Sequence, residues 1–135
     1  APHSPYRIPG TSVQEYPVSV YFDHRFYLPD PPTPKNMARA LVHAKRGNTL
    51  WLRPNGRNLQ ECLGVLRHNQ APGEPDYVMF MLHSSELMPG GSPTFQNERD
   101  IERLYADLEA FFSWLAPQVK GMTLAEYYQR KITQR

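Results

Sequence analysis

The sequence predicts an α/β chain in which parallel strands alternate with helices. Three observations point that way. Tyr77-Val78-Met79-Phe80-Met81-Leu82 is an unbroken apolar and aromatic run with no polar alternation. A strand with one wet face alternates, so this run is expected to be covered on both faces, as in a parallel sheet. The periodicities along the chain also run strand, helix, strand, helix, strand, helix, an order that implies right-handed crossovers. Finally, three parallel strands make a narrow sheet with two open edges, which is a liability. The chain therefore reads as a single segment, residues 1–135, forming about half of a larger α/β fold, with the other strands expected before Ala1.

Each element has a local reason. Ala1 to Gly10 holds three prolines and a glycine and reads as a surface loop. Ser12 to Phe22 is rich in Val and Tyr and suits a strand, with Pro17 placing part of it at an edge or bulge. Asp23 to Pro34 is a proline-rich loop. Thr33-Pro34 then reads as an N-cap followed by proline at the first helical position. That helix extends to about Arg46, with Met37, Leu41 and Ala44 on one face, and Gly47 stops it. Thr49 to Leu52 is a short strand, and Pro54-Asn55-Gly56 a turn. Asn58 and Glu61 have the spacing of a cap pair opening a helix whose apolar face is Leu59, Cys62, Leu63 and Leu66. Ala71 to Asp76, with Pro72, Gly73 and Pro75, breaks it before the Tyr77–Leu82 strand. Asn97 caps the longest helix, in which Ile101, Leu104, Tyr105, Leu108, Phe111, Phe112 and Leu115 follow the 3.6 period. Pro117 and Gly121 end it. Thr123 and Glu126 form a capping box for a short last helix with Leu124, Tyr127 and Tyr128 inward.

Composition narrows the function classes. Fifteen basic against thirteen acidic residues give a net charge of +2, too mild to argue for nucleic acid. No run of eighteen or more apolar residues exists, so no transmembrane segment is expected. The single cysteine, Cys62, excludes an intramolecular disulfide and fits a buried reduced thiol in a cytoplasmic protein. The first residues, Ala1-Pro2-His3, show neither signal peptide nor initiator methionine, which suggests a processed or cut segment.

His83 is the leading candidate for chemistry. It falls just past the carboxyl end of the Tyr77–Leu82 run, where α/β folds place their ligands. An imidazole titrates near working pH and can give a proton to a leaving group. A strand-end histidine that only braces a loop is the plainer alternative. Ser84 and Ser85 lack the surroundings of a nucleophile elbow and are expected to bond the turn backbone. Gly90-Gly91-Ser92 reads as a turn in preference to a backbone anion nest. Trp51 and Arg53 end the middle strand and belong by the same rule on the rim near His83, although core packing also explains Trp51. The five histidines, His3, His24, His43, His68 and His83, show no metal-ligand spacing, and the adjacent pair Asp23-His24 is too little for a site. Between Pro31 and Arg57 stand Lys35, Arg39, Lys45, Arg46, Arg53 and Arg57 with no acidic residue. This is a solvated face or an anion patch, and it lacks the interleaved aromatics that single-stranded nucleic acid requires.

Several motifs occur in order: Pro5-Tyr6-Arg7, Glu15-Tyr16-Pro17-Val18-Ser19-Val20, Leu50-Trp51-Leu52-Arg53-Pro54, and Met81-Leu82-His83-Ser84-Ser85-Glu86-Leu87 followed by Pro89-Gly90-Gly91-Ser92-Pro93. Together they resemble the C-terminal half of polysaccharide deacetylases of the carbohydrate esterase type, in the bacterial surface-polysaccharide branch. The resemblance extends to about Tyr127. It implies the C-terminal portion of a distorted (β/α)7 barrel and a metal-dependent hydrolase that removes acetyl groups from amino sugars of an O-antigen-like polysaccharide or its precursor. It also implies a divalent metal, expected to be zinc, with no ligand on this segment. By match, His83 is the catalytic acid and Leu82 a wall of the acetyl pocket, while Trp51 and Arg53 stand at the substrate rim. The family's aspartate base, metal-binding aspartate, histidine pair and arginine motif have no counterpart here. The segment alone is thus expected to be inactive, its partners being an acetylated sugar and the missing N-terminal half of the barrel, not nucleic acid. Two other readings remain beside this one: a catalytically silent glycan-binding relative, and a small anion- or nucleotide-binding α/β domain using the Lys35–Arg57 patch.

Overall fold

The computed structural model describes residues 4–73 and 76–133. Ala1, Pro2, His3 and Pro75, named above, lie outside the described residues. The elements in order are β1 (Tyr6–Arg7), β2 (Gln14–Glu15), β3 (Val20–Asp23), α1 (Pro34–Arg46), β4 (Asn48–Trp51), α2 (Leu59–Asn69), a 3₁₀ turn (Ser84–Leu87), α3 (Glu98–Leu115) and α4 (Leu124–Thr133). The described strands form two small antiparallel sheets, β1 with β2 and β3 with β4.

This corrects the expected architecture. The described residues form neither the parallel sheet nor the arrangement of a (β/α)7 barrel portion. The reason lies in the path between β3 and β4. A parallel crossover needs its helix to carry the chain back to the start of the first strand. Here the excursion through α1 leaves and returns at the same end of the sheet, where Asp23 faces Asn48. Gly47, which stops α1 at φ +81°, lies against the ring of Phe22 and beside His24, so close that a Cβ there would fall 2.3 Å from Phe22. The next strand must then run back along β3, and Val20 faces Trp51, Tyr21 faces Leu50, Phe22 faces Thr49 and Asp23 faces Asn48.

The run Tyr77–Leu82 is also not a regular strand covered on both faces, and none of its residues is fully buried. It lies beside the small sheet through scattered bonds. Ser19 N–H donates to Met79 O at 2.9 Å, and Met81 N–H to Leu52 O at 3.1 Å. Between these, Met79 N–H is taken by the Ser19 hydroxyl at 3.1 Å. A side chain that captures a backbone donor interrupts the ladder, which is why this segment runs alongside the sheet without joining it.

The core gathers where helix α2 meets β4 and α3. Leu50, Leu52, Cys62, Leu63, Val65, Leu66, Phe111 and Leu115 form its main cluster. Phe95, Ile101 and Leu104 form a second, smaller one. Burial drives the Cys62 thiol up to about 12, so it is a protonated packing group. Gly64 is close-packed for a reason visible at the next layer: a Cβ there would lie 2.4 Å from the Tyr27 hydroxyl. Helix α3 starts as expected, with the Asn97 side chain accepting from Asp100 N–H at 3.1 Å, but Tyr105 and Phe112 are exposed. Helix α4 carries the expected capping box, Glu126 accepting from Thr123 N–H and Thr123 from Glu126 N–H. Of its apolar residues Tyr127 is buried, whereas Leu124 and Tyr128 face solvent. Tyr127 donates to Asp76 at 2.6 Å and packs with Tyr16 and Tyr77, anchoring α4.

Helix α1 begins where the sequence places it, with Thr33 Oγ1 accepting from Asn36 N–H at 3.2 Å. Its orientation is the surprise. No residue of α1 is buried. Met37 and Ala44 are half-buried, but Leu41, expected on the same inward face, is exposed.

Candidate functional site

The loop that carries His83 is tied to the end of β4 by one buried carboxylate. Glu86 lies in the 3₁₀ turn, where a single helical turn after an extended residue brings its side chain back over His83. Its Oε2 accepts the backbone N–H of His83 at 2.9 Å, and its Oε1 accepts from Arg53 Nη2 at 2.6 Å. Burial alone raises the Glu86 carboxyl. The bond from the His83 amide and the Arg53 guanidinium outweigh burial, and its pKa lies below the ordinary glutamate value. The carboxylate is therefore ionised at neutral pH and fully engaged, and the His83 side chain is left exposed.

Arg53 and the His83 loop are thus joined through Glu86, not as neighbouring ends of parallel strands, since Tyr77–Leu82 is no strand here. The sequence signal for Glu86 is its spacing: an acid three residues beyond His83, at the position that returns to cap a turn. Trp51, one residue before Leu52, is exposed and lines an open hollow of about 440 Å3 with Arg53, Met81 and Glu61. Leu82 is placed differently. It packs half-buried against the Phe95, Ile101 and Leu104 cluster.

The glycines after His83 build a turn. Gly90 has φ +74°, its N–H donates to Phe95 O at 2.8 Å, and Gly91 N–H donates to Met88 O at 3.1 Å. A Cβ at Gly91 would lie 2.2 Å from Ser85 O. With both donors spent inside the turn, they form no anion nest.

A second hollow, a cleft of about 350 Å3, adjoins the first and lies between α1, the β3–β4 sheet and the start of α2. One part of its wall is held by internal bonds. Tyr27 donates to Asp23 Oδ2 at 2.5 Å, and Asn36 donates to Pro31 O at 2.9 Å. Asn58 was expected to cap α2 with Glu61. Its side chain instead turns back, accepting Asn55 N–H at 2.9 Å and donating to Arg53 O at 3.0 Å. Glu61 is therefore released from capping. Its carboxyl, half-buried on the cleft wall, is pushed up by burial, against the opposing influence of His43 and Arg39. Asp23 is the contrast on the same wall. Burial raises it, but the Tyr27 hydroxyl and the Arg25 amide and guanidinium bring it below the ordinary aspartate value. Asp107, close by on α3, has one carboxylate oxygen buried with no hydrogen-bond partner, and burial raises it.

The basic stretch divides. Arg53 is engaged by Glu86 and Arg57 by Asp100 at 3.2 Å, while Lys35, Arg39, Lys45 and Arg46 all lie on α1. Among the described residues no group of three or more histidines, cysteines or carboxylates is placed to hold a metal ion. The divalent metal that the resemblance implies therefore finds no fit in these residues. No helix among the described residues is long and apolar enough to cross a membrane. No family model, no curated protein and no solved structure matches the chain.

Proposed function

We propose that this chain supplies the proton-donating side of a hydrolase that removes acetyl groups from amino sugars of a bacterial surface polysaccharide or its precursor, with His83 as the acid. The observation that carries the reading is the clamp in which Glu86 joins the His83 backbone to Arg53. It ties the backbone of the loop that carries the exposed His83 to Arg53, which lines a hollow together with Trp51. In amide hydrolysis, water adds to the acetyl carbonyl and the C–N bond then breaks. The amine leaves as a good leaving group only if it takes up a proton, and an imidazolium can give it. The products are acetate and the free amino sugar. Arg53, held by Glu86, and the exposed ring of Trp51 offer a hydrogen-bond donor and a stacking face at the rim. A cytoplasmic setting accompanies this reading, through the free and buried Cys62.

The anion-binding alternative is weakened by the engagement of Arg53 and Arg57 with carboxylates. The test is acetate release from an N-acetylglucosamine oligomer by the full-length protein containing this chain, assayed with added zinc, manganese or cobalt. His83→Ala is expected to lower the turnover by about 10²- to 10⁴-fold, the usual contribution of a general acid. Unchanged acetate release from that variant, or none from the wild type with any of the metals, contradicts the proposal. Binding of the oligomer without turnover would favour the silent glycan-binding alternative.

A further inference from the structure

Helix α1 is seated shallowly and leaves two large apolar residues uncovered. Its polar residues Asn36, Arg39 and His43 line the cleft, facing the rest of the molecule. Its opposite stripe, Ala38, Leu41, Val42 and Lys45, has the i, i+3, i+4, i+7 spacing of one helix face, and all four residues are exposed. Leu41 is 60% exposed and Val42 48%. The inward side holds Met37, Ala40 and Ala44 half-buried, while the larger Leu41 and Val42 are left in solvent, where an amphipathic helix would normally cover them. At the C-terminal end of the helix, the ring of Phe22, 56% exposed, lies against Gly47 and adds an aromatic to that end.

The charges around the stripe identify what would cover it. Lys35, Lys45 and Arg46 are exposed, and none forms an ion pair among the described residues. The sequence contains no acidic residue from Pro31 to Gln60. A second copy of the same face would set cations against cations, which disfavours self-pairing. A short apolar ridge bordered by lysine and arginine, with an aromatic at one end, matches instead the interfacial region of an anionic bilayer. There apolar side chains enter the acyl boundary and cations meet lipid phosphates.

We propose that α1 is a peripheral membrane-docking helix, which seats Leu41, Val42 and Phe22 in the surface of a bilayer containing anionic phospholipid while Lys35, Lys45 and Arg46 contact its headgroups. The docking is independent of the deacetylation reading and uses none of its residues.

The test is cosedimentation of the protein with vesicles of phosphatidylcholine alone or mixed roughly two to one with phosphatidylglycerol, the mixture supplying the negative surface potential. Binding is expected to the mixed vesicles, with little to phosphatidylcholine. It should weaken at least tenfold when salt is raised from about 0.1 M to about 0.5 M, where surface charges are screened. The double variants Leu41→Asp with Val42→Asp, and Lys45→Glu with Arg46→Glu, should each lose at least tenfold in vesicle affinity. Their thermal unfolding midpoints should stay within a few degrees of the wild type, because these side chains are exposed. The charge-matched control Arg99→Glu with Lys120→Glu should retain binding within about threefold, since its loss of net positive charge lies elsewhere. Failure of the wild type to bind the mixed vesicles overturns the proposal. So does an equal loss in the control, which would make the attraction non-specific. Dimerisation of the wild type, abolished by Leu41→Asp, overturns it as well and makes the occupant a second copy.

Discussion

Helices α1 and α2 flank the same strand, β4, and could hardly be used more differently. Helix α2 buries Cys62, Leu63, Gly64, Val65 and Leu66, whereas α1, two residues longer, buries nothing. Both are amphipathic and both start at a recognisable cap position. The difference is which face turns inward. In α2 the apolar stripe meets β4 and α3, whereas α1 sets a mixed side with Asn36, Arg39, Ala40 and His43 along a cleft and leaves Leu41 and Val42 outside. Amphipathic periodicity therefore shows that a helix has two faces, not which one the fold uses.

The largest expected effects come from the dry side of this contrast. Leu52→Ala and Phe111→Ala each empty a fully buried site, and each should lower unfolding stability by about 3–5 kcal/mol in a urea titration. Leu41→Ala on α1 should change it by less than about 0.5 kcal/mol, as for exposed positions generally. Comparable losses at Leu41 and Leu52 would erase the contrast.

An intermediate effect is expected at the clamp. Glu86→Gln keeps the shape of the side chain but removes the charge facing Arg53. Arg53 is partly solvated, so the loss should be about 1–2 kcal/mol, toward the low end for a charged hydrogen bond. The pH dependence has a definite sign. The folded pKa of Glu86 is depressed, so its contribution is fully present above the unfolded value of about 4.3 and is lost as pH falls through the folded value. The wild type and Glu86→Gln should therefore converge in stability in acid. Glu61 has the opposite sign. Its folded pKa is raised, so its ionisation disfavours the folded state at neutral pH. Glu61→Gln should unfold at a slightly higher midpoint at pH 7, with the gain vanishing below about pH 4.

The smallest effect sharpens the comparison most finely. Thr33→Ala removes the N-cap bond of α1, which should weaken that helix by about 1 kcal/mol. Because α1 is so little packed, the loss should appear as faster amide exchange within Pro34–Arg46, while the global unfolding midpoint hardly moves.

Much of the local structure was legible because it depends on nearest neighbours in sequence. Thr33-Pro34 and Gly47 bound α1, Asn97 starts α3 and Thr123 with Glu126 starts α4. Sheet direction was not legible. It depends on where Gly47 returns relative to Phe22, a contact that no periodicity encodes. The apolar run Tyr77–Leu82 suggested a central strand, but the Ser19 hydroxyl takes the Met79 amide and leaves the run beside the sheet. At the site, the link between Arg53 and the His83 loop has a different origin from the strand ends that the sequence suggested, because it is made by Glu86, one more polar position after the histidine. Glu61 was misread for a related reason. The spacing from Asn58 fits a cap pair, but Asn58 serves the Pro54–Gly56 turn.

The central claim is that a rigid dry half of the molecule positions the His83 loop through Glu86, while α1 stands apart from that half. Residue-resolved hydrogen exchange tests both parts at once. The account predicts slow exchange across α2 and the core side of α3, fast exchange in α1, and a protected His83 amide that loses its protection in Glu86→Ala, which removes the acceptor. Protection of α1 equal to that of α2, or a His83 amide indifferent to Glu86, would contradict it.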